Sequence, residues 1–182
     1  MLLHYTKRQV LPAGLHFAKL LAISERERAP FGAPEGSTEK NPCINWKFGL
    51  FSDEACTKHK ADVDGSLLWA IQQTGVDYGG GRSKLTQLLT NICGRKLTED
   101  EVGRFDVSNL LGLKCQLVIE LDTKPDGEVI SKIGNVIVGT PFPIAKYLMP
   151  GDPFTNSPDH PQAATSQEAM AGIDPTTGEV AG

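Results

Sequence analysis

The apolar residues of this 182-residue chain change their period twice, and that change constrains the fold more than any other feature. Three early stretches, "GLHFAKLLAI", "INWKFGLF" and "GSLLWAIQQT", carry apolar side chains in the alternating pattern of half-buried strands. From residue 83 the spacing becomes helical, because Leu85, Leu88, Leu89 and Ile92 fall at i, i+3, i+4 and i+7. The strand pattern then returns in "CQLVIEL" and in residues 128–138, which the turn "DTKPDG" joins. The predicted order is three strands, a helical segment and two strands.

The helical segment has recognisable ends. Ser83 can cap the first turn, and Gly94 stands where a left-handed residue ends a helix. Thr98 and Glu101 form a capping box that predicts a second helical turn ending near Phe105. The order β-β-β-α-β-β is that of an OB-fold, a five-stranded barrel that binds oligonucleotides or oligosaccharides across one face. We therefore expect a mainly β chain with a helical insert and an OB-fold-like barrel, although order alone leaves other pairings open.

The end of the chain differs in composition from the rest. From residue 151 to 182 it is rich in Pro, Gly, Ser, Thr and Ala and has almost no large apolar residues, so it cannot repay the entropy of ordering. We expect a binding domain over residues 1–150 and a disordered, weakly acidic tail over residues 151–182. All 18 Lys and Arg precede the tail, whereas five of the 22 Asp and Glu lie in it. The domain therefore carries a net charge of only +1, and the tail −5.

Several classes of protein are disfavoured by composition. No apolar run approaches the ~18 residues of a membrane-spanning helix, and the N-terminus does not resemble a secretory signal, so we expect a cytoplasmic protein without membrane contact. The four cysteines contain no Cys-x-x-Cys pair, which agrees with a reducing compartment and with buried, hydrophobic roles. Cys56 and His59 have a ligand-like spacing but lack a second pair. We expect no metal and no cofactor.

A glycine-rich stretch, "DYGGGRSKLTQLL", raises the question of phosphate binding. It lacks the Gly-Lys-Ser/Thr of a Walker loop, and Lys84 occupies the third glycine position of a Gly-x-Gly-x-x-Gly motif. Tyr78, Arg82 and Lys84 at a helix N-terminus nevertheless suit an anion such as a nucleic-acid phosphate. The alternative is a mobile connector with solvated cations. Because no His, Cys or Ser has a recognisable catalytic partner, we expect a non-enzymatic protein.

Strand faces indicate which residues bind. Trp46 and Phe48 are in register with other apolar residues of the second strand and are assigned to the core, whereas Lys47 and Phe51 point the other way. Lys19 interrupts the otherwise apolar face of the first strand. Single-strand binders combine cations that follow the backbone with aromatic rings that stack on bases. The predicted phosphate contacts are Lys19, Lys47, Arg82, Lys84 and Lys132, and the predicted stacking residues are Phe51, Trp69 and Tyr78.

The helical insert resembles a family of phage and prophage proteins of the single-stranded-DNA-binding type. The resemblance lies mainly in "SKLTQLLTNICGRKLTEDEVGRFDVSNLLGLKCQLVI", residues 83–119, and extends to the opening "LPAGLHFAKLLAI". The matching residues are Ser83, Gly94, Arg95, Leu97, Thr98, Glu101, Phe105, Asp106, Leu110, Leu111, Gly112 and Cys115. The tail departs from such proteins, since it is dilute in acid and ends "GEVAG" rather than in a hydrophobic tip. The resemblance implies an OB-like fold and a role in phage replication or recombination.

The leading hypothesis is a protein that binds single-stranded DNA through phosphate contacts and base stacking, in an infected or lysogenic bacterial host. A domain charge of +1 favours a homo-oligomer, which would collect charge from several subunits. Phage or host replication and recombination proteins are further expected partners. Two alternatives stay open: a phage protein-interaction module, such as a replisome adaptor or host-protein inhibitor, and an oligosaccharide-binding domain.

Overall fold

The structure is a computed structural model that describes residues 10–30, 32, 34, 38–62, 65–80 and 82–151. Its elements follow the predicted order: β1 Gly14–Arg28, β2 Asn41–Phe51, β3 Trp69–Gly75, α1 Lys84–Cys93, α2 Glu99–Arg104, β4 Lys114–Thr123 and β5 Val129–Ile137, with short 3₁₀ turns at Val107–Leu110 and Ile144–Lys146. All of them belong to one compact unit, Met1–Met149. The predicted disordered tail lies outside the described residues except for Gly151.

The five strands form one antiparallel sheet in the order β3-β2-β1-β4-β5. Residues of β3 lie close to residues of β5, but no hydrogen-bonded ladder joins these edge strands within the described ranges, so the sheet is not closed into a barrel. The predicted mainly β fold with a helical insert between the third and fourth strands is confirmed to this extent.

The central strand β1 contains a bulge that decides which residues face the core. Its pairing with β2 shifts register between Leu20 and Ala22, so that Leu21 is the additional residue. Ala18 and Leu20 face the core and are buried, whereas Leu15 and Leu21 are 56% and 43% exposed. Leu15 and Leu21, on the apolar face predicted for β1 around Lys19, are therefore turned away from the core, whereas Ile23, beyond the bulge, packs against it.

The core lies between the other face of the sheet and α1. Trp46 and Phe48 of β2 are fully buried, as predicted, and pack in one cluster with the apolar residues of α1. Nε1 of Trp46 donates a hydrogen bond of 3.0 Å to Oγ1 of the buried Thr74 on β3. Because this bond satisfies the indole N–H, the largest side chain of the core is buried without an unpaired donor.

All three predicted end signals of the helices are present. The Ser83 side chain caps α1, and Gly94 has a left-handed φ of 72° at its end. Thr98 and Glu101 form the capping box of α2. Arg95 donates to Glu101 at 2.8 Å, and this hydrogen bond is the largest cause of the lowering of the pKa of Glu101 to about 2. The insert is thus a locally specified unit.

Candidate nucleic-acid interface

The sheet has a second face, opposite the core, that we call the outer face. It is made by the residues of β1, β2 and β3 that alternate with the core residues, and cross-strand pairing brings them together. These residues include Phe17, Lys19, Ala22, Ser24, Arg26 and Arg28 of β1, Asn41, Cys43, Asn45, Lys47, Gly49 and Phe51 of β2, and Trp69, Ile71, Gln73 and Gly75 of β3. Lys114 of β4 extends the face, since it pairs directly with Lys19.

Charge is separated between the two faces of these strands. The structure describes every residue of β1, β2 and β3, and their outer-face positions contain cations but no carboxylate. Glu25 and Glu27 of β1 alternate with Arg26 and Arg28 and therefore point to the opposite side. A domain with a net charge near zero thus presents a locally positive surface.

Two cations of the outer face lie over aromatic rings. Nζ of Lys47 is 4.9 Å from the ring centroid of Trp69, and Nζ of Lys19 is 5.1 Å from that of Phe51. Trp69 is 46% exposed, which is unusual for so large an apolar side chain. The Lys47 and Trp69 pair therefore offers an ammonium group for a phosphate and an exposed ring for a base at the same place.

Phe51 belongs to this face but is fully buried. Its ring lies against the His59 ring, with centroids 4.3 Å apart, as well as against Lys19. A base cannot stack on Phe51 without displacing these neighbours, so the predicted stacking role of Phe51 is not supported by its placement. The exposed ring at this position is that of His59, which the sequence analysis did not select because it lies in a charged loop without periodicity.

A groove runs along the outer face beside Trp69. It has a volume of about 390 Å³ and is lined by Leu21, Lys47, Gly49, His59, Leu67 and Trp69, among others. A Cβ at Gly49 would lie 2.6 Å from Cδ1 of Leu21, so a side chain at this position would have to displace Leu21 from the groove wall. The groove combines apolar walls with a cation, which are the two components that a single strand of nucleic acid needs.

The loop that follows β2 and forms one wall of the groove is closed by Asp53. The carboxylate of Asp53 accepts hydrogen bonds from the Thr57 hydroxyl at 2.7 Å and from the Lys58 backbone N–H at 2.8 Å. These two bonds, that of Thr57 being the larger cause, lower the pKa of Asp53 to about 2. The carboxylate is therefore used to hold the loop near the outer face.

The glycine-rich stretch lies on the side of the sheet where α1 packs, not on the outer face. The Tyr78 hydroxyl accepts a 2.7 Å hydrogen bond from the Leu97 N–H, and its ring packs against the core, so Tyr78 anchors the loop. The Gly79 N–H donates to the Thr86 side chain at 2.9 Å. Arg82 and Lys84 are exposed. These contacts favour the connector over the phosphate site, and the structure does not bring Arg82 and Lys84 into the outer face.

Lys132 of β5 is another predicted phosphate contact that lies outside the outer face. Its Nζ is paired with the carboxylates of Asp122, at 3.1 Å, and Glu120, at 3.8 Å.

Several basic or amide residues of the outer face and of its extension were missed by the sequence analysis, among them Lys114 of β4. Arg26 and Arg28 lie in the last part of β1, beyond residue 25, where the sequence pattern predicts the end of that strand, and Asn45 and Gln73 lie on β2 and β3. A signal for the two arginines exists in "SERER", where Glu and Arg alternate with a period of two. If this segment is assigned to a strand rather than to a loop, the alternation places both arginines on the same face.

The cysteines are structural. All four are free and buried, as predicted, and Sγ of Cys56 donates to the Ala18 carbonyl oxygen at 3.4 Å. Burial raises the pKa of Cys115 to about 12. No group of three or more His, Cys, Asp or Glu among the described residues is arranged to hold a metal ion. Nor do the described ranges contain a helix with the length and apolar character needed to cross a membrane.

Comparison of the chain with protein-family models and with curated proteins gave no match.

Proposed function

We propose that this protein binds single-stranded DNA along the outer face of β1, β2 and β3, as a non-enzymatic protein of phage replication or recombination. The observation that carries the proposal is the pairing of an exposed Trp69 with Lys47 on a face of β1, β2 and β3 whose charged groups are all cations. The resemblance of residues 83–119 to phage proteins of the single-stranded-DNA-binding type supports the same function.

The topology supports an OB-like barrel as the scaffold. The strand order β3-β2-β1-β4-β5, the approach of β3 to β5 and the helix between β3 and β4 are those of a partly open, five-stranded barrel. OB-folds bind oligonucleotides on the face of strands 2 and 3, which in this chain contains Lys47 and Trp69.

In the proposed complex, bases stack on Trp69 and pack against the apolar walls of the groove, while Lys19, Arg26, Lys47 and Lys114 contact backbone phosphates. A base on the Trp69 ring contributes about 1–3 kcal/mol. Each ammonium group that contacts a phosphate releases counterions, so the affinity falls as the salt concentration rises. This mode requires unpaired bases and therefore disfavours duplex DNA.

A protein partner is the second candidate, favoured by exposed apolar residues on the other half of the sheet. Leu15 and Ile137 are 56% and 40% exposed, and Leu15 pairs with Val118 in the adjacent strand. An apolar surface of this kind is typical of protein contacts. A phage or host replication protein docking there is compatible with DNA on the outer face.

The direct test is fluorescence anisotropy of a labelled oligo-dT and of the matching duplex. We expect salt-sensitive binding to the single strand and much weaker binding to the duplex. Trp69→Ala should weaken the single-strand affinity by roughly 5- to 150-fold, from the stacking energy above. Arg82→Ala/Lys84→Ala is the matched control, because both side chains are exposed cations outside the outer face. Equal binding of both DNA forms, or a larger loss in the control than in Trp69→Ala, would contradict the proposal.

A further inference from the structure

Three polar side chains from three neighbouring strands meet on the outer face, along β3 from Trp69. Nη1 of Arg28 donates a 3.3 Å hydrogen bond to Oε1 of Gln73, and Nε2 of Gln73 donates a 3.1 Å hydrogen bond to Oδ1 of Asn45. Gln73 lies four residues from Trp69 on the same face of β3, which is about 13 Å along the strand. We call these three residues the guanidinium–amide cluster.

The hydrogen bonds within the cluster determine what it offers to a ligand. A guanidinium group can only donate, so the Gln73 oxygen must face Arg28 and the Gln73 nitrogen must face Asn45. Both amide oxygens therefore already accept a hydrogen bond. The cluster uses one of the five N–H groups of Arg28 and neither N–H of Asn45. Towards a ligand it therefore offers more donors than acceptors.

We infer that the guanidinium–amide cluster is a base-recognition subsite that prefers guanine, which rests on the proposed binding of single-stranded DNA. Guanine presents two adjacent acceptors, O6 and N7, on an edge without a donor, and this edge matches the fork of a guanidinium group. Adenine and cytosine present an amino group beside their acceptors, and the guanidinium group, which has no acceptor, cannot pair with that amino group. In a single strand, the O6 and N7 edge is free to be read.

The position of the cluster fits this role. Arg28 is exposed, while Asn45 and Gln73 are half-buried in the sheet, so the amides hold the guanidinium group at a defined place. A strand whose bases stack on Trp69 and which continues along β3 passes over Gln73. A guanidinium group that contacted only phosphate would serve equally well for every base.

The experiment compares four labelled oligonucleotides of about 15 nucleotides, a length that covers the site of one OB-fold. They are oligo-dT and the same oligomer with isolated substitutions by dG, by 7-deaza-dG or by dA. The deaza base lacks N7 but keeps the ring and the Watson–Crick edge. We expect the dG oligomer to bind roughly tenfold more tightly than oligo-dT, and the other two to bind like oligo-dT.

Two variants separate base recognition from charge. Arg28→Lys keeps the charge but loses the fork, so it should bind oligo-dT like the wild type and lose the preference for dG. Gln73→Ala should also lose the preference. Equal affinity for dG and 7-deaza-dG, or a dG preference that survives Arg28→Lys, would overturn the subsite while leaving oligo-dT binding intact. Absence of binding to all four oligomers would instead reject the proposed function and the subsite together.

Discussion

The salt dependence of binding can be worked out from the outer face. Apart from Arg28, the cations of this face and its extension are Lys19, Arg26, Lys47 and Lys114. If each contacts one phosphate, the logarithm of the binding constant falls with the logarithm of salt with a slope of about −3, since a single strand contributes roughly 0.7 per contact. An increase from about 50 to about 200 mM salt should then weaken binding by roughly 50-fold.

Lys47→Gln removes one of these contacts and leaves the others. The slope should decrease in magnitude to about −2, and the same change in salt should weaken binding by only about 20-fold. Lys132→Gln is the matched control, because Lys132 is already paired with Asp122 and Glu120. The salt slope of the Lys132→Gln variant should equal that of the wild type. Anisotropy titrations of oligo-dT at several salt concentrations give all three slopes.

The reasoning would be refuted by a slope near zero in the wild type. It would also fail if Lys47→Gln left the slope unchanged while Lys132→Gln reduced it, because the phosphates would then follow β4 and β5 rather than the outer face.

Three further predictions concern the fold that supports this face. Thr74→Val should lower the free energy of unfolding by roughly 1–3 kcal/mol in urea titrations, because it leaves the buried Trp46 N–H without an acceptor; an unchanged midpoint would contradict that bond's importance. The pKa of Glu101 is lowered from its ordinary value of 4.5 to about 2. The ionised carboxylate therefore stabilises the fold fully above pH 4.5, and this contribution is lost as the pH falls towards 2. Glu101→Gln should therefore lose less stability than the wild type between about pH 5 and 3, and an identical pH profile would disprove the role of this carboxylate. Cys115, whose pKa burial raises to about 12, should resist iodoacetamide in the native protein and react after unfolding, as followed by mass spectrometry; rapid native labelling would show that the thiol is accessible.

Local signals in the sequence were sufficient for the order of elements and for the insert. Ser83, Gly94 and the Thr98 and Glu101 capping box each act within a few residues, so their effect does not depend on the rest of the chain. The assignment of Trp46 to the core followed from alternation in β2, a regular strand whose register is set by its buried face.

The composition of the outer face depended on features that are not local. The bulge at Leu21 and the length of β1 beyond residue 25 place Arg26 and Arg28 beside β2, and neither feature has a clear signature in a single sequence. Phe51 was assigned to the correct face, but its burial depends on a loop that returns to place His59 on its ring. Contacts of this kind are set by tertiary packing rather than by periodicity.

The measurement that tests the central claim most directly is the intrinsic tryptophan fluorescence of the protein during titration with oligo-dT. The chain has two tryptophans, of which Trp46 is fully buried and Trp69 is 46% exposed on the outer face. We expect saturable quenching that arises from Trp69 and disappears in Trp69→Phe, while the Trp46 signal stays constant. Binding without quenching, or quenching that persists in Trp69→Phe, would place the DNA elsewhere and contradict the outer face as its site.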